Sequence, residues 1–96
     1  MQSDEFEWDD AKAEANFRKH GVRFEHAADA CEDPFALIEL EDSQDYGEDR
    51  YALIGRAAGG VITVIFTERD ERIRIISARE ANFHERRDYH RAAQDE

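Results

Sequence analysis

The sequence predicts an α+β fold in one domain, and three observations predict it. From Asp9 to Cys31 the apolar residues recur at helical spacing, and from Phe35 onward they alternate with polar ones. Two tight-turn signals, Ala57-Ala-Gly-Gly60 and Asp70-Glu71, cut the alternating half into consecutive strands, as in an antiparallel meander. The chain has 96 residues, enough for one core that removes roughly 60–70% of the unfolded surface from water. The expected order is β-α-α-β-β-β-β-α over residues 1–96. The expected architecture is a compact, mostly antiparallel sheet with the helices packed on one face.

Each element has a local reason. Phe6 and Trp8 alternate with Glu5 and Glu7, which predicts a short strand with one buried face. Asp9 or Asp10 can cap the amides of a helix that runs to about His20 and stops at Gly21. The apolar face of this helix is thin, formed by Ala11, Ala15 and Phe17. Lys12, Asn16 and Lys19 share another face. Phe24 to Cys31 forms a second helix with Phe24, Ala27, Ala28 and Cys31 inward, and Asp33-Pro34 breaks the pattern.

Phe35 to Glu41 is then a strand that runs into an acidic segment ending at Asp49. Arg50 to Arg56 is the next strand, and Val61 to Glu68, the most apolar, is expected at the centre. Arg72-Ile-Arg-Ile-Ile-Ser77 is the last strand, with Arg72 and Arg74 opposite Ile73 and Ile75. Ser77-Ala-Arg-Glu80 reads as a capping box. It opens a final helix to about Ala93, packed through Ala81, Phe83 or His84, and Tyr89.

Charge divides the chain. Residues 1–49 hold 16 Asp and Glu against 4 Lys and Arg, or -12; residues 50–96 hold 8 against 9, or +1. The second half contains arginine and no lysine, which favours planar, two-pronged contacts to carboxylate or phosphate, whether from the acidic half or from a ligand. A single cysteine, Cys31, excludes an internal disulfide and suits a reducing compartment. The longest apolar run, Val61 to Phe66, is too short for a membrane span. The first residues are acidic and lack the basic start and apolar stretch of a signal peptide, so the protein is expected in the cytosol. The histidines pair poorly for metal: His84 and His90 are six apart, off one helix face, and His20 and His26 flank a corner. No metal and no other cofactor is expected.

Several segments, in order, resemble the BrnT family. They are Phe6-Glu-Trp-Asp9 with Lys12 and Asn16; Lys19-His20-Gly-Val22 with Phe24-Glu25 and Ala27; Asp33-Pro34; and Gly47-Glu-Asp-Arg50 with Ile54-Gly55. Thr67-Glu-Arg69, Arg74-Ile-Ile-Ser-Ala-Arg79, and Glu85-Arg86 with Tyr89 complete the series, which spans roughly residues 5–90. The resemblance implies a small toxin of a bacterial type II toxin–antitoxin pair, with a RelE-like ribonuclease fold, that cleaves RNA and blocks translation. It also implies a ribbon-helix-helix antitoxin as partner, through which the pair reaches its own operator DNA.

Metal-free RNA cleavage needs a base for the 2′-hydroxyl proton, an acid for the leaving 5′-oxygen, and cations around the phosphate. Relatives spread these tasks over Arg, Lys, Tyr, His and Glu. Arg79, just inside the expected last helix, is the first candidate, against a surface pairing with Glu80 or Asp33. Arg69 has Glu68 and Asp70 beside it, and Arg50 has Glu48 and Asp49, so local ion pairs compete with a phosphate contact. His20 exchanges protons nearest neutral pH, or merely caps carbonyls at a helix end. Lys19 beside it is a phosphate ligand or a solvated charge. Glu85 and Tyr89, four apart on the last helix, complete the set, with packing the competing role for Tyr89. Trp8 reads as core before it reads as a base-stacking platform, and Cys31 as core filling. The chemistry is expected where the arginines of strands four and five meet the last helix, with the acidic half turned away or covered by a partner. A second reading, from the acidic first half, is a weak or inert homologue whose role is to bind a protein partner.

Overall fold

A computed structural model describes residues 1–41 and 48–94. The elements are β1 (Phe6–Glu7), α1 (Asp10–His20), α2 (Phe24–Cys31), β2 (Leu37–Glu41), β3 (Arg50–Ala57), β4 (Gly60–Arg69), β5 (Arg72–Glu80) and α3 (Phe83–Gln94). This is the expected order. The five strands form one sheet, β1-β5-β4-β3-β2, antiparallel except for β1 beside β5. The most apolar strand, β4, is central. Much of the acidic segment after β2 (residues 42–47) lies outside the described residues.

The helix ends follow local chemistry. Asp9 accepts the Lys12 N–H at 3.1 Å, and α1 closes at Gly21, whose φ of 73° returns its N–H to the Phe17 carbonyl. The buried side of α1 differs from the expected one: Ala13 and Asn16 turn inward while Ala11 and Ala15 are exposed. Phe17 lies on the surface beneath the Arg23 guanidinium, 4.1 Å from the ring centroid. In α2 the buried residues are Phe24, Ala27 and Ala30; Ala28 and Cys31 are only half-buried. α2 lies so close to the sheet that a Cβ on Gly55 would come within 2.7 Å of the Ala30 carbonyl oxygen. Phe35 stays outside β2 because Asp33 folds the chain into a turn, accepting the Phe35 N–H at 2.9 Å.

Two expectations are corrected. Ser77-Ala-Arg-Glu80 does not cap a helix; β5 continues through these residues, paired with β4 as far as Ile62↔Glu80. A cap contributes about 1 kcal/mol, less than a run of sheet pairing with burial of Ala78. The cap lies five residues later: Asn82 Oδ1 accepts the Glu85 N–H at 2.9 Å and Glu85 Oε1 accepts the Asn82 N–H at 2.8 Å. Phe83, a packing candidate, is exposed, as is His84; Ala81 and Tyr89 are buried.

The helices also do not share one face. Leu53, Ala57, Ile62, Val64, Phe66, Ile75 and Ala78 pack against α1 and α2 in the main core. Ile54 and Val61, pointing to the other side, pack with Ala81 and Tyr89 of α3. A central strand as apolar as Val61–Phe66 is covered on both faces, which alternation in a single strand does not reveal.

β5 contains a bulge. Ile65 faces Ser77 but Phe66 faces Ile75, so Ile76 is an extra residue on β5. The side-chain parity flips there: Ile73 and Ile75 point to the main core before it, and Ala78 after it. Past Arg74, β1 no longer pairs with β5. The buried side chain of Asn16 takes its place. Its Nδ2 donates to the Ala78 carbonyl (2.9 Å) and the Val22 carbonyl (3.0 Å), and its Oδ1 accepts the Ala78 N–H (3.1 Å).

Replacing Asn16 by Ala strands these backbone groups, at a cost of about 3 kcal/mol. Urea unfolding of Asn16→Ala, with the slope unchanged and the midpoint lowered, checks this.

Candidate functional site

The pleat sorts the arginines. Residues facing α1 and α2 on the meander are Tyr51, Leu53, Ile62, Val64, Phe66, Ile73, Ile75 and Ala78. The positions alternating with these, Ile54, Val61 and Thr63 among them, face α3's side. They include every arginine of the three strands: Arg50 and Arg56 of β3, Arg69 of β4, and Arg72, Arg74 and Arg79 of β5. α3 covers only the part of this side around Ile54 and Val61. The rest, toward β1, is a sheet surface bearing Arg50, Arg69, Arg72, Arg74 and Ser77. A protein of net charge -11 thus concentrates cations on one face.

Arg79 is where this face meets α3. Its guanidinium grips Glu85 in two bonds, Nη1–Oε1 at 2.8 Å and Nη2–Oε2 at 3.0 Å. Thr63, opposite Arg79 on β4, donates its hydroxyl to Glu85 at 3.0 Å, and the Asn82 N–H adds a third donor. The Arg79 guanidinium first, then these donors, outweigh burial and hold the Glu85 carboxyl down to about 2. So stable a carboxylate is a poor base; its role is to fix Arg79. The expected pairing of Arg79 with Glu80 or Asp33 side chains is corrected accordingly, although Arg79 also donates to the Glu80 carbonyl at 3.2 Å.

Asp33 belongs to Tyr89. The Tyr89 hydroxyl donates to Asp33 at 2.5 Å, and the Arg56 N–H donates to the same oxygen at 2.8 Å. Burial raises the Asp33 carboxyl, but the Tyr89 hydroxyl and the N–H groups of Phe35 and Arg56 hold it below its ordinary value. Burial, then Asp33, raises the Tyr89 hydroxyl. Tyr89 is 2% exposed, so it staples α3 to the turn before β2.

Arg69 does not join Arg79 at α3. The β4–β5 hairpin sets Arg69 against Arg72 at its turn, while Arg79 faces Thr63. Six residues of β4 separate the two positions, about 20 Å. Arg69 lies 3.6 Å from Glu48, and Arg50 starts β3, half-buried, at the same end of the sheet. Both are at the far end of the arginine face. Arg86, on α3, donates to the Ala81 carbonyl.

Lys19 and His20, at the exposed end of α1, enter the site from the side. With Lys12, Ala15 and Asn16 they line a groove of about 240 Å³ whose opposite wall is Ile76 and Ser77. Ser77 pairs with Ile65 on the same side of the sheet as Arg74 and Arg79, so the groove that it lines reaches the arginine face at the bulge. Bulges re-aim side chains at such places.

Sequence reasoning missed Thr63, Asn82 and the pair of Arg74 with the buried Glu7, at 2.5 Å. The alternation of Arg50 with Arg56 and of Arg72 with Arg74 was the available signal for a shared face. Trp8 is core, edge-on to Phe24 at 5.9 Å. Burial pushes the Cys31 thiol up to about 11, away from nucleophilic chemistry. Among the described residues, no three His, Cys, Asp or Glu side chains form a metal-sized cluster. No helix among them is long and apolar enough to cross a membrane.

Residues 8–85 match the family model of the ribonuclease toxin BrnT of type II toxin–antitoxin systems. The match runs from Trp8 to Glu85, through every strand from β2 to β5. No curated protein matches the chain.

Glu85 also predicts a pH signature. Its folded value lies below the ordinary 4.5, so its contribution to stability is complete above about 4.5 and is lost as pH falls toward about 2. Urea midpoints measured from pH 6 downward should fall through this window. Glu85→Gln should be less stable near neutral pH and lose that part of the acid dependence.

Proposed function

The chain belongs to the BrnT family of type II toxin–antitoxin ribonuclease toxins, and on that premise we propose that it cleaves RNA along the bulged edge of β5. The family implies an antitoxin partner. The observation that carries the reading is the junction of two cationic surfaces at Ser77: the groove with Lys12, Lys19 and His20, and the sheet face with Arg74 and Arg79.

In this reading the RNA backbone follows β5. Arg79, fixed by Glu85, and Lys19 hold the scissile phosphate and the charge that grows on it. The 2′-hydroxyl oxygen attacks phosphorus, its proton passes to a base, and the 5′-oxygen leaves with a proton from an acid. His20 serves one of these transfers. Arg50, Arg69, Arg72 and Arg74 extend the contact to neighbouring phosphates. Tyr89 acts through the position of α3. No divalent metal is needed, since the charge is supplied by side chains.

We further propose a RelE-like arrangement in a single domain of residues 1–96, working in the cytoplasm to block translation. Neutralisation falls to a ribbon-helix-helix antitoxin, through which the pair reaches operator DNA. A second reading has its own support. Arg79, Arg74 and Arg69 each already face a carboxylate, Glu85, Glu7 and Glu48, as in a homologue kept for its partner rather than its chemistry.

Freed of antitoxin and assayed in EDTA, the protein should cleave RNA. Arg79→Ala should slow cleavage at least a hundredfold. His20→Gln should do so with the urea midpoint unchanged. Intact RNA at stoichiometric protein, together with normal growth on induction in cells, would favour the second reading.

A further inference from the structure

β2 ends the strand order, and its outer edge is open among the described residues. An edge strand presents backbone N–H and C=O groups to other chains, and stable proteins blunt it with charged side chains, lysine above all, with proline or with a covering element. Leu37–Glu41 contains neither lysine nor proline, and its two charges, Glu39 and Glu41, lie on one side only. Ile38 and Leu40 stand on the α2 side of the sheet, opposite Leu53 and Tyr51, yet they are 58% and 61% exposed. On the other side stand Glu39 and Glu41, and Asp88 of α3 lies against the same edge.

We propose that this edge binds an extended segment of the antitoxin as a sixth strand. Its apolar side chains cover Ile38 and Leu40, and its lysines or arginines lie across from Glu39 and Glu41. Charge selects this occupant. Pairing of β2 with a second copy of itself sets glutamates against glutamates, between chains of net charge -11. A basic amphipathic strand meets opposite charge on one face and apolar surface on the other. Three strand spacings, about 14 Å, separate β2 from β5, so this contact anchors the antitoxin away from the groove at Ser77. The inference rests on membership of the toxin family and not on RNA cleavage by the chain.

The test uses the cognate antitoxin, co-expressed with the full chain, and reads amide hydrogen exchange with and without it. The amides of residues 37–41 should slow at least tenfold in the complex. The double variant Ile38→Lys/Leu40→Lys should bind the antitoxin on the order of a hundredfold more weakly, with its thermal midpoint unchanged. Glu39→Gln/Glu41→Gln should lower the association rate and flatten its salt dependence. The proposal is overturned if β2 exchanges as fast in the complex as in the free chain, or if the double variant binds undiminished. Protection of β2 in the chain alone that rises with its concentration would assign the edge to a second copy instead, and absence of any complex would also sink it.

Discussion

The arrangement of the molecule hangs on one extra residue in β5. With Ile76 bulged out, Ala78 enters the main core and Arg79 comes to the opposite side, facing Thr63 and the start of α3. A regular strand would reverse both: Arg79 would be aimed at the packed α1–α2 side, where a guanidinium has no partner. Asn16 makes the bulge tenable. It satisfies both backbone groups of Ala78 where β1 has ended, and ties the same point to the Val22 carbonyl at the α1–α2 corner. Core packing, the position of α3 and the placing of Arg79 thus share one origin.

The two faces of the sheet carry different physics. One is covered by α1 and α2 over β3 to β5 and has no arginine from the meander. The other carries six, and α3 covers only a corner of it. This separation reconciles a net charge of -11 with the phosphate-binding role proposed for the arginine face. Long-range repulsion acts against any polyanion at a distance, whereas local cations held in fixed geometry act on a phosphate at contact. The ion pairs are part of the same design. Glu85 stabilises Arg79 in place and lowers its local charge, so the pair trades affinity for position. The two proposed surfaces, the groove at β5 and the open edge of β2, lie three strands apart, toward opposite edges of the sheet.

Much of this was legible in the sequence. The order of elements, the Asp9 cap, the Gly21 stop, both tight turns and the central place of β4 all rest on local signals, and local signals act within a few residues. The errors arose where a distant partner decided. Ser77-Ala-Arg-Glu80 satisfies a capping pattern, but pairing with Ile62 and its neighbours outweighs it. Asn16 reads as a surface residue because its three bonds go to the α1–α2 corner and to β5. Arg69 and Arg79 look equivalent in sequence, yet an antiparallel hairpin holds them at opposite ends. The resemblance to BrnT toxins named Lys19, His20, Arg79 and Glu85 among the family's motif positions. Only the fold shows that the first two share a groove with Ser77, and that the last two hold each other.

The central claim is that RNA lies along the bulged edge of β5. Titration of an isotope-labelled chain with a 2′-O-methyl oligoribonucleotide, which binds without offering a nucleophile, tests it directly by nuclear magnetic resonance. The account predicts saturable shifts at Lys19, His20, Ser77 and Arg79 and in the side-chain signals of Arg74. Shifts confined to the outer faces of α1 and α2, or none at millimolar RNA in low salt, would contradict it.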